Sequence, residues 1–309
     1  MSRRLLSVIV PCFNEEESIP LYYEAMEKIR QHLPVDLEYI FVNDGSKDQT
    51  LDLLRALSSE APNVHYISFS RNFGKEAAIY AGLKEARGDL VTLMDVDLQD
   101  PPELLPEMIK LMEEKQLDCV GTRRADREGE PPIRSFFARL FYRLIATISE
   151  TKMVDGARDF RLMTRQMVEA ILELSEYNRF SKGLFSWVGF ETEYISFENR
   201  ERQAGETSWS FFSLLKYSID GIVNFSEAPL NIASIVGLVS CCLSGLALLF
   251  VVFRALVYGD PTAGWPSLVA IVIFFAGLQL LCLGIIGKYI GKIFLETKRR
   301  PVYIVKEKK

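Results

Sequence analysis

From Leu5 onward, short apolar runs alternate with longer stretches whose apolar residues recur at helical spacing. The runs 5–10, 37–42, 64–69 and 90–94, with another near 117–121, are short and apolar, and they predict buried strands. Between them, Ile19, Tyr22, Tyr23, Met26 and Ile29 share one helical face. Leu51, Leu53, Leu54 and Leu57, an alanine-rich stretch ending at Ala86, and Leu104, Leu105, Met108, Ile109 and Met112 predict three more helices. Ser46 or Asp48 offers the second helix an N-cap. Strand–helix alternation of this kind predicts an α/β fold, a mostly parallel sheet with helices on both faces. Ligands of such sheets sit beyond the carboxyl ends of the strands.

Further along, the pattern changes. Residues 228–253 are 26 positions without a charge and residues 261–287 are 27, whereas about 20 apolar residues span a bilayer core as helix. A two-helix transmembrane hairpin is favoured over two buried helices of a soluble domain, because soluble core helices rarely go so long uncharged. The segment 288–309 carries eight Lys or Arg against Glu296 and Glu307, while the turn between the apolar runs offers Arg254 and Asp260. The excess of cations puts the tail in the cytoplasm, and two crossings return the N-terminal part to the same side. The predicted organisation is therefore a cytoplasmic domain at 1–208, an amphipathic juxtamembrane segment at 209–227, a first span at 228–257, an extracytoplasmic loop at 258–264, a second span at 265–290 and a basic cytoplasmic tail at 291–309. This describes a multi-pass plasma-membrane protein with both termini cytoplasmic. Residues 123–145 mix six arginines with Phe136, Phe137, Leu140, Phe141 and Leu144. That pattern suits a helix at lipid headgroups or a core-packed helix with a solvated arginine face. Arg3-Arg4 followed by Leu5–Pro11 is too short an apolar run for a signal peptide.

Charge narrows the partners. The tail's +6 within a whole-chain −5 leaves −11 on the remainder, which argues against nucleic acid as a partner. The five cysteines are scattered, with no metal spacing or disulfide framework, in keeping with a reducing compartment. Small residues in the apolar runs, Gly237, Ser240, Ser244, Gly245, Gly284 and Gly287, permit close helix approach and so a homo-oligomer.

The candidate chemistry lies at the predicted strand ends: Asn14 and Glu15 after the first, Asp44 after the second, Arg71 after the third, Asp95 and Asp97 after the fourth. On extended chain Asp95, Asp97 and Gln99 project to one side and Val96 and Leu98 to the other. Two carboxylates and an amide oxygen make half of an all-oxygen shell suited to Mg²⁺ or Mn²⁺, with positions left for phosphates. A solvated acidic turn is the plainer alternative for this stretch alone. Four polar strand ends aimed at one crevice favour a site. Residues 159–163 and 200–209 are compatible, on pattern alone, with ordinary surface.

Six segments then occur in a telling order: 11–16 (Pro-Cys-Phe-Asn-Glu-Glu), 42–46 (Val-Asn-Asp-Gly-Ser), 70–75 (Ser-Arg-Asn-Phe-Gly-Lys), 95–103 (Asp-Val-Asp-Leu-Gln-Asp-Pro-Pro-Glu), 159–163 (Asp-Phe-Arg-Leu-Met) and 202–206 (Arg-Gln-Ala-Gly-Glu). Together they resemble the polyprenyl-phosphate glycosyltransferases, relatives of dolichol-phosphate mannose synthase with the GT-A fold, and the paired C-terminal spans resemble the bacterial undecaprenyl-phosphate glucosyltransferase branch. The resemblance implies nucleotide-binding roles for Pro11, Phe13, Asn14, Glu15, Asp44, Arg71 and Lys75. It implies metal and diphosphate binding by Asp95, Asp97 and Gln99, phosphate contacts from Arg123, Arg134 and Arg202, and a place near the sugar for Asp159. Phe13 stands where many members have Tyr, and Ser208 where mannose synthases often carry Lys.

The reaction so implied moves a sugar from a UDP-sugar donor to polyprenyl phosphate at the membrane. A phosphate monoester has its second pKa near ~6, so the acceptor is already ionised at neutral pH and a strong base is unnecessary. The harder task is bringing two anions together, which calls for cations and for stabilisation of the departing diphosphate. In-line attack with inversion is expected, with Asp159 orienting groups rather than taking a proton. Glucose is the expected sugar, with N-acetylglucosamine or N-acetylgalactosamine as alternatives. A processive polysaccharide synthase is disfavoured because no Gln-x-x-Arg-Trp motif is present and two spans cannot enclose a polymer. A non-catalytic nucleotide-sugar-binding scaffold is disfavoured by the intact set Asp95, Asp97 and Gln99.

Overall fold

β1 (Leu5–Cys12) is buried almost throughout, as expected of a strand covered on both faces. Alternate side chains serve two cores. Leu6, Val8 and Val10 join Tyr22 and Met26 of α1 (Ser18–Arg30) on one face. Ile9 joins Ala77, Ala78 and Ala81 of α3 (Lys75–Glu85) on the other. Burying each such Leu, Ile or Val stabilises the fold by roughly 1.5–3 kcal/mol, which fixes the register, since a slip of one residue would exchange the faces. The computed structural model describes residues 3–124, 154, 156–198, 223, 226, 228–258 and 264–309. Arg134, Arg202, Ser208 and nearly all of both amphipathic stretches, 123–145 and 209–225, lie outside them.

The remaining elements in chain order are β2 (Asp36–Asn43), α2 (Thr50–Glu60), β3 (Val64–Phe69), β4 (Leu90–Leu93), a 3₁₀ turn (Pro102–Leu104), α4 (Leu105–Lys115), β5 (Cys119–Arg124), β6 (Ala157–Thr164), α5 (Arg165–Glu173), α6 (Ser181–Trp187), β7 (Thr192–Phe197), α7 (Ala228–Tyr258), α8 (Trp265–Thr297) and β8 (Val305–Lys308). The eight strands form one sheet in the order β7-β5-β6-β4-β1-β2-β3-β8. β1 pairs parallel with β2 and β4, and β2 with β3, so Cys12, Asn43 and Ser68 end together on one side.

β6 runs antiparallel to both neighbours, β4 and β5. Its first residues therefore arrive where the parallel strands finish: Arg161 sits opposite Leu93, and Ala157 opposite Arg123. Neither β6 nor β7 was expected from the apolar pattern. The charged start of β6 hid it, because Arg158, Asp159 and Arg161 interrupt the apolar alternation that marks a strand.

α7 and α8 are 31 and 33 residues long, about 45–50 Å each at ~1.5 Å per residue. They lie outside both cores and leave large apolar side chains such as Leu238, Phe274 and Leu280 exposed. Among the described residues Phe274–Thr297 is long and apolar enough to cross a membrane, and Ala228–Ser240 forms a shorter apolar stretch. α8 runs to Thr297, and the chain then returns to the sheet as β8, antiparallel to β3.

Candidate active site

The loops after β1, β2 and β3 are stapled together before any side chain reaches outward. Asn14 adopts a left-handed backbone, φ 55°, and its N–H donates to Ser46 Oγ at 2.9 Å while its Oδ1 accepts from Lys47 N at 2.9 Å. Glu15 N donates to Thr50 Oγ1, and its carboxylate accepts from Ser18 Oγ at 2.6 Å. Asp44 accepts from the backbone N–H groups of Phe73 at 2.6 Å and Gly74 at 2.9 Å. Burial raises the Asp44 carboxyl, and those two amides and Arg71 offset only part of the rise. Gly45 makes the approach feasible. Its φ is +68°, and a Cβ there would fall 2.6 Å from the Asn72 nitrogen.

At the centre, Lys75 reaches across the sheet end. Its Nζ lies 2.7 and 3.0 Å from the two oxygens of Asp95 and 2.6 Å from Asp159 Oδ2. Burial pushes the Asp159 carboxyl up, but Lys75 and Lys182 more than reverse this and hold it far below the usual carboxylate range. Lys75 mirrors it. Burial lowers the amine, and Asp159 and Asp95 outweigh burial and keep it well above its ordinary value. Asp159 is held from behind by Arg161, whose Nε donates to the Asp159 carbonyl at 3.3 Å and whose Nη2 donates to the Arg158 carbonyl at 2.9 Å. The Arg161 guanidinium rests 3.9 Å from the Phe185 ring centroid.

The segment 94–100 is a turn rather than the extended chain expected. Leu98 has φ 58°, and Asp97 Oδ1 accepts from Gln99 N at 3.2 Å. Val96 and Leu98 do face inward, but Asp97 is buried as well. Asp100 is fully buried. Its Oδ1 accepts from Arg158 Nε at 2.8 Å, and its other oxygen has no partner among the described residues. Burial, opposed by Arg158, pushes its carboxyl up to about 6. Arg158 also lies 3.5 Å from Gln99 Oε1, a long contact. Among the described residues no three His, Cys, Asp or Glu side chains converge as a metal cluster.

Lys75, Asp95 and Asp159, three residues singled out in the sequence from separate motifs, thus meet at one point. Residues 7–172, which carry all three, match the family described as Glycosyl transferase family 2. The chain belongs to glycosyl transferase family 2. It is a glycosyltransferase.

Among relatives of this family member, the bactoprenol glucosyl transferase of Shigella phage SfV is 41% identical over 304 residues, covering 98% of this chain and 99% of its own. The prophage bactoprenol glucosyl transferase homolog of Escherichia coli strain K12 is 39% identical over 304 residues, with 98% and 99% covered. The uncharacterized glycosyltransferase YkcC of Bacillus subtilis strain 168 is 41% identical over 309 residues, with 99% and 95% covered. Among solved structures, mannosyl-3-phosphoglycerate synthase from Rubrobacter xylanophilus superposes with a TM-score of 0.49 at 16% identity, covering 71% of this chain and 72% of that one.

The transferase holds other predicted residues elsewhere. Arg123 is the last residue but one of β5, its Nε donating to Ser196 Oγ at 2.9 Å on the β7 side. Phe13 is 39% exposed. Arg71 stacks its guanidinium 4.0 Å from the Phe73 ring centroid. Arg158, Arg161, Asp100 and Lys182 carry no assignment from sequence. Arg161 and Asp100 were in view within recognised segments, and only their burial beside Asp159 and Gln99 marks them out. A cavity of about 610 Å³ lined by Tyr23, Glu27, Leu53 and Leu57 lies between α1 and α2, away from these strand ends.

Proposed function

We propose that this glycosyltransferase transfers glucose from UDP-glucose to undecaprenyl phosphate at the cytoplasmic face of the plasma membrane, with inversion at the anomeric carbon. The observation that carries the reading is near-full-length kinship with bactoprenol glucosyl transferases, which extends through both long apolar helices. The topology supports the membrane arrangement. β8 pairs with β3 in the same sheet, so if α7 crosses the bilayer, α8 has to cross back. A single crossing would strand β8 across the bilayer from its partner. The tail's lysines and arginines make that side the cytoplasm.

The acceptor phosphate oxygen forms a bond to the anomeric carbon as the bond from that carbon to the UDP oxygen breaks, and the electron pair leaves with UDP. No proton needs removing from the acceptor at neutral pH. Asp159, ionised and bound to Lys75, is a poor proton acceptor and suits orientation of the sugar or of the lysine. Lys75, Arg158, Arg161 and Lys182 supply positive charge around the point where two anions must meet. Asn14, Glu15, Asp44 and Arg71, with the face of Phe13, form the nucleotide side, and Arg123, Arg134 and Arg202 are proposed to meet phosphates. Asp95, Asp97 and Gln99 offer an oxygen-only donor set that is incomplete by itself, which fits Mg²⁺ or Mn²⁺ when the diphosphate and water complete the shell. A bound cation of this kind would offset charge building on the leaving diphosphate.

The test is incubation of the full chain in detergent with radiolabelled UDP-sugars, Mg²⁺ or Mn²⁺ and undecaprenyl phosphate, followed by extraction into organic solvent. Label from UDP-glucose in the organic phase, abolished by a chelator, is the expected result. Label from UDP-N-acetylglucosamine or UDP-N-acetylgalactosamine alone would overturn the sugar, and no label from any UDP-sugar would overturn the acceptor.

A further inference from the structure

α8 does not stop where its uncharged run stops. That run ends at Gly287, but the helix continues through Lys288 and Lys292 to Thr297. At ~1.5 Å per residue Glu296 is carried about 13 Å past Gly287. There it meets the loop that leads into α6. Glu296 Oε2 accepts from Tyr177 N at 3.0 Å, and Oε1 accepts from Asn178 N at 3.0 Å and from Asn178 Nδ2 at 2.9 Å. A single carboxylate on the apolar helix thus takes three hydrogen bonds from the catalytic part of the chain.

The same loop is tied at its other end to the reaction centre. Ser181 donates through both its backbone N, at 2.8 Å, and its Oγ to Glu76 Oε2. Glu76 follows Lys75, which joins Asp95 and Asp159. Lys182 donates to the Ala157 carbonyl at 3.2 Å, two residues before Asp159. Residues 177–182, the loop and the first two residues of α6, therefore bridge the end of α8 and the charged cluster in a few hydrogen-bonded and covalent links. Among the described residues the chain beyond α8 is also attached at the β3 edge, through Tyr303 stacked on Phe69 and through β8. That edge lies after the helix has ended, whereas Tyr177 and Asn178 hold α8 itself, at its last turn.

We propose that Glu296 is a positioning residue that fixes the crevice relative to α8, and so to the depth at which a membrane-borne phosphate presents itself. The inference rests on the lipid-acceptor reading above. The physical need is plain: reacting atoms must come within about 3–3.5 Å, and an error of about 1 Å costs up to ~100-fold in rate. A freely diffusing acceptor can follow a tilting domain, whereas a phosphate held at the headgroup plane cannot.

The experiment uses the full chain with Glu296→Ala and Glu296→Gln, the latter keeping one acceptor oxygen. Three quantities are read: hydrogen exchange at the Tyr177 and Asn178 amides, transfer to undecaprenyl phosphate in bilayer nanodiscs, and transfer to a short water-soluble prenyl phosphate in detergent. For Glu296→Ala the expected results are exchange faster by about tenfold or more and bilayer transfer lower by about 10–100-fold. Transfer to the short acceptor stays within about twofold, and Glu296→Gln falls between. Unchanged exchange, or equal losses on both acceptors, would overturn the proposal, since a merely structural role lowers both. If the unaltered protein served neither acceptor, the functional reading would fail by itself, and exchange at Tyr177 and Asn178 would still decide whether Glu296 holds the loop.

Discussion

Lys75 sits between Asp95 and Asp159 and decides the charge state of the centre. Asp159 is held far below the usual carboxylate range and Lys75 well above the usual amine range, so neither titrates between about pH 6 and 9. Asp159→Asn should lower turnover by about 10²–10³-fold, by the same factor at both ends of that window. A pH–rate profile checks this: a loss seen only above neutral pH would give Asp159 a proton-accepting role instead. Asp159 was legible in the sequence through its motif. Lys75 was legible too, as a nucleotide-binding residue, but their pairing was not, because Lys75 lies 84 positions earlier and no local pattern reports a contact across two strands. Arg158 escaped for a similar reason. It follows an ordinary-looking stretch, and only the fold brings it to buried Asp100.

Among elements, the strand-end loops behave as one unit, with Asp44 gripping the amides of Phe73 and Gly74 over the backbone of Gly45. Gly45→Ala forces a side chain into a φ of +68° and against Asn72, a strain of about 1–3 kcal/mol. A lower thermal midpoint and a raised KM for the UDP-sugar are the expected outcome, and an unchanged KM would detach this loop from donor binding. The strands β1 to β5 follow from apolar runs, since a buried strand must be apolar on both faces. The turn at 94–100 departs from extended geometry because the positive φ of Leu98 and the Asp97–Gln99 hydrogen bond curl the chain. Residue type alone does not specify either feature.

For the whole molecule, the decisive feature is the return of the C-terminus to the sheet. Tyr303 stacks on Phe69 with ring centroids 4.8 Å apart, and Glu307 accepts from Arg55 at 2.7 and 2.8 Å and from Tyr66 at 3.1 Å. The Arg55 hydrogen bond, opposed by burial and aided by Tyr66, lowers the Glu307 carboxyl. A depressed carboxylate contributes stability that is present above its unfolded-state pKa and lost as pH falls through the folded one. β8 should therefore loosen below about pH 4.3, seen as faster hydrogen exchange in β3 while β1 stays protected. Glu307→Gln should abolish that pH dependence. The proposed hairpin carries its own test. With Cys241, Cys242 and Cys282 replaced by serine, a cysteine placed at Gly264 should react with a membrane-impermeant thiol reagent from outside the cell. One placed at Lys306 should react only after permeabilisation, and the same sidedness at both positions would rule out the hairpin.

The sequence by itself determined the α/β alternation, the two long apolar helices, the residues of the strand-end motifs and the family, because burial demands and helical or strand periodicity are local and written along the chain. It did not show that β6 enters antiparallel, that residues 305–308 close the edge of β3, or that Glu296 meets Tyr177 and Asn178. Those were decided by tertiary structure. Each depends on which distant backbone edge or amide is left unpaired once the rest has folded, and a buried or edge donor takes whichever acceptor the fold brings to it.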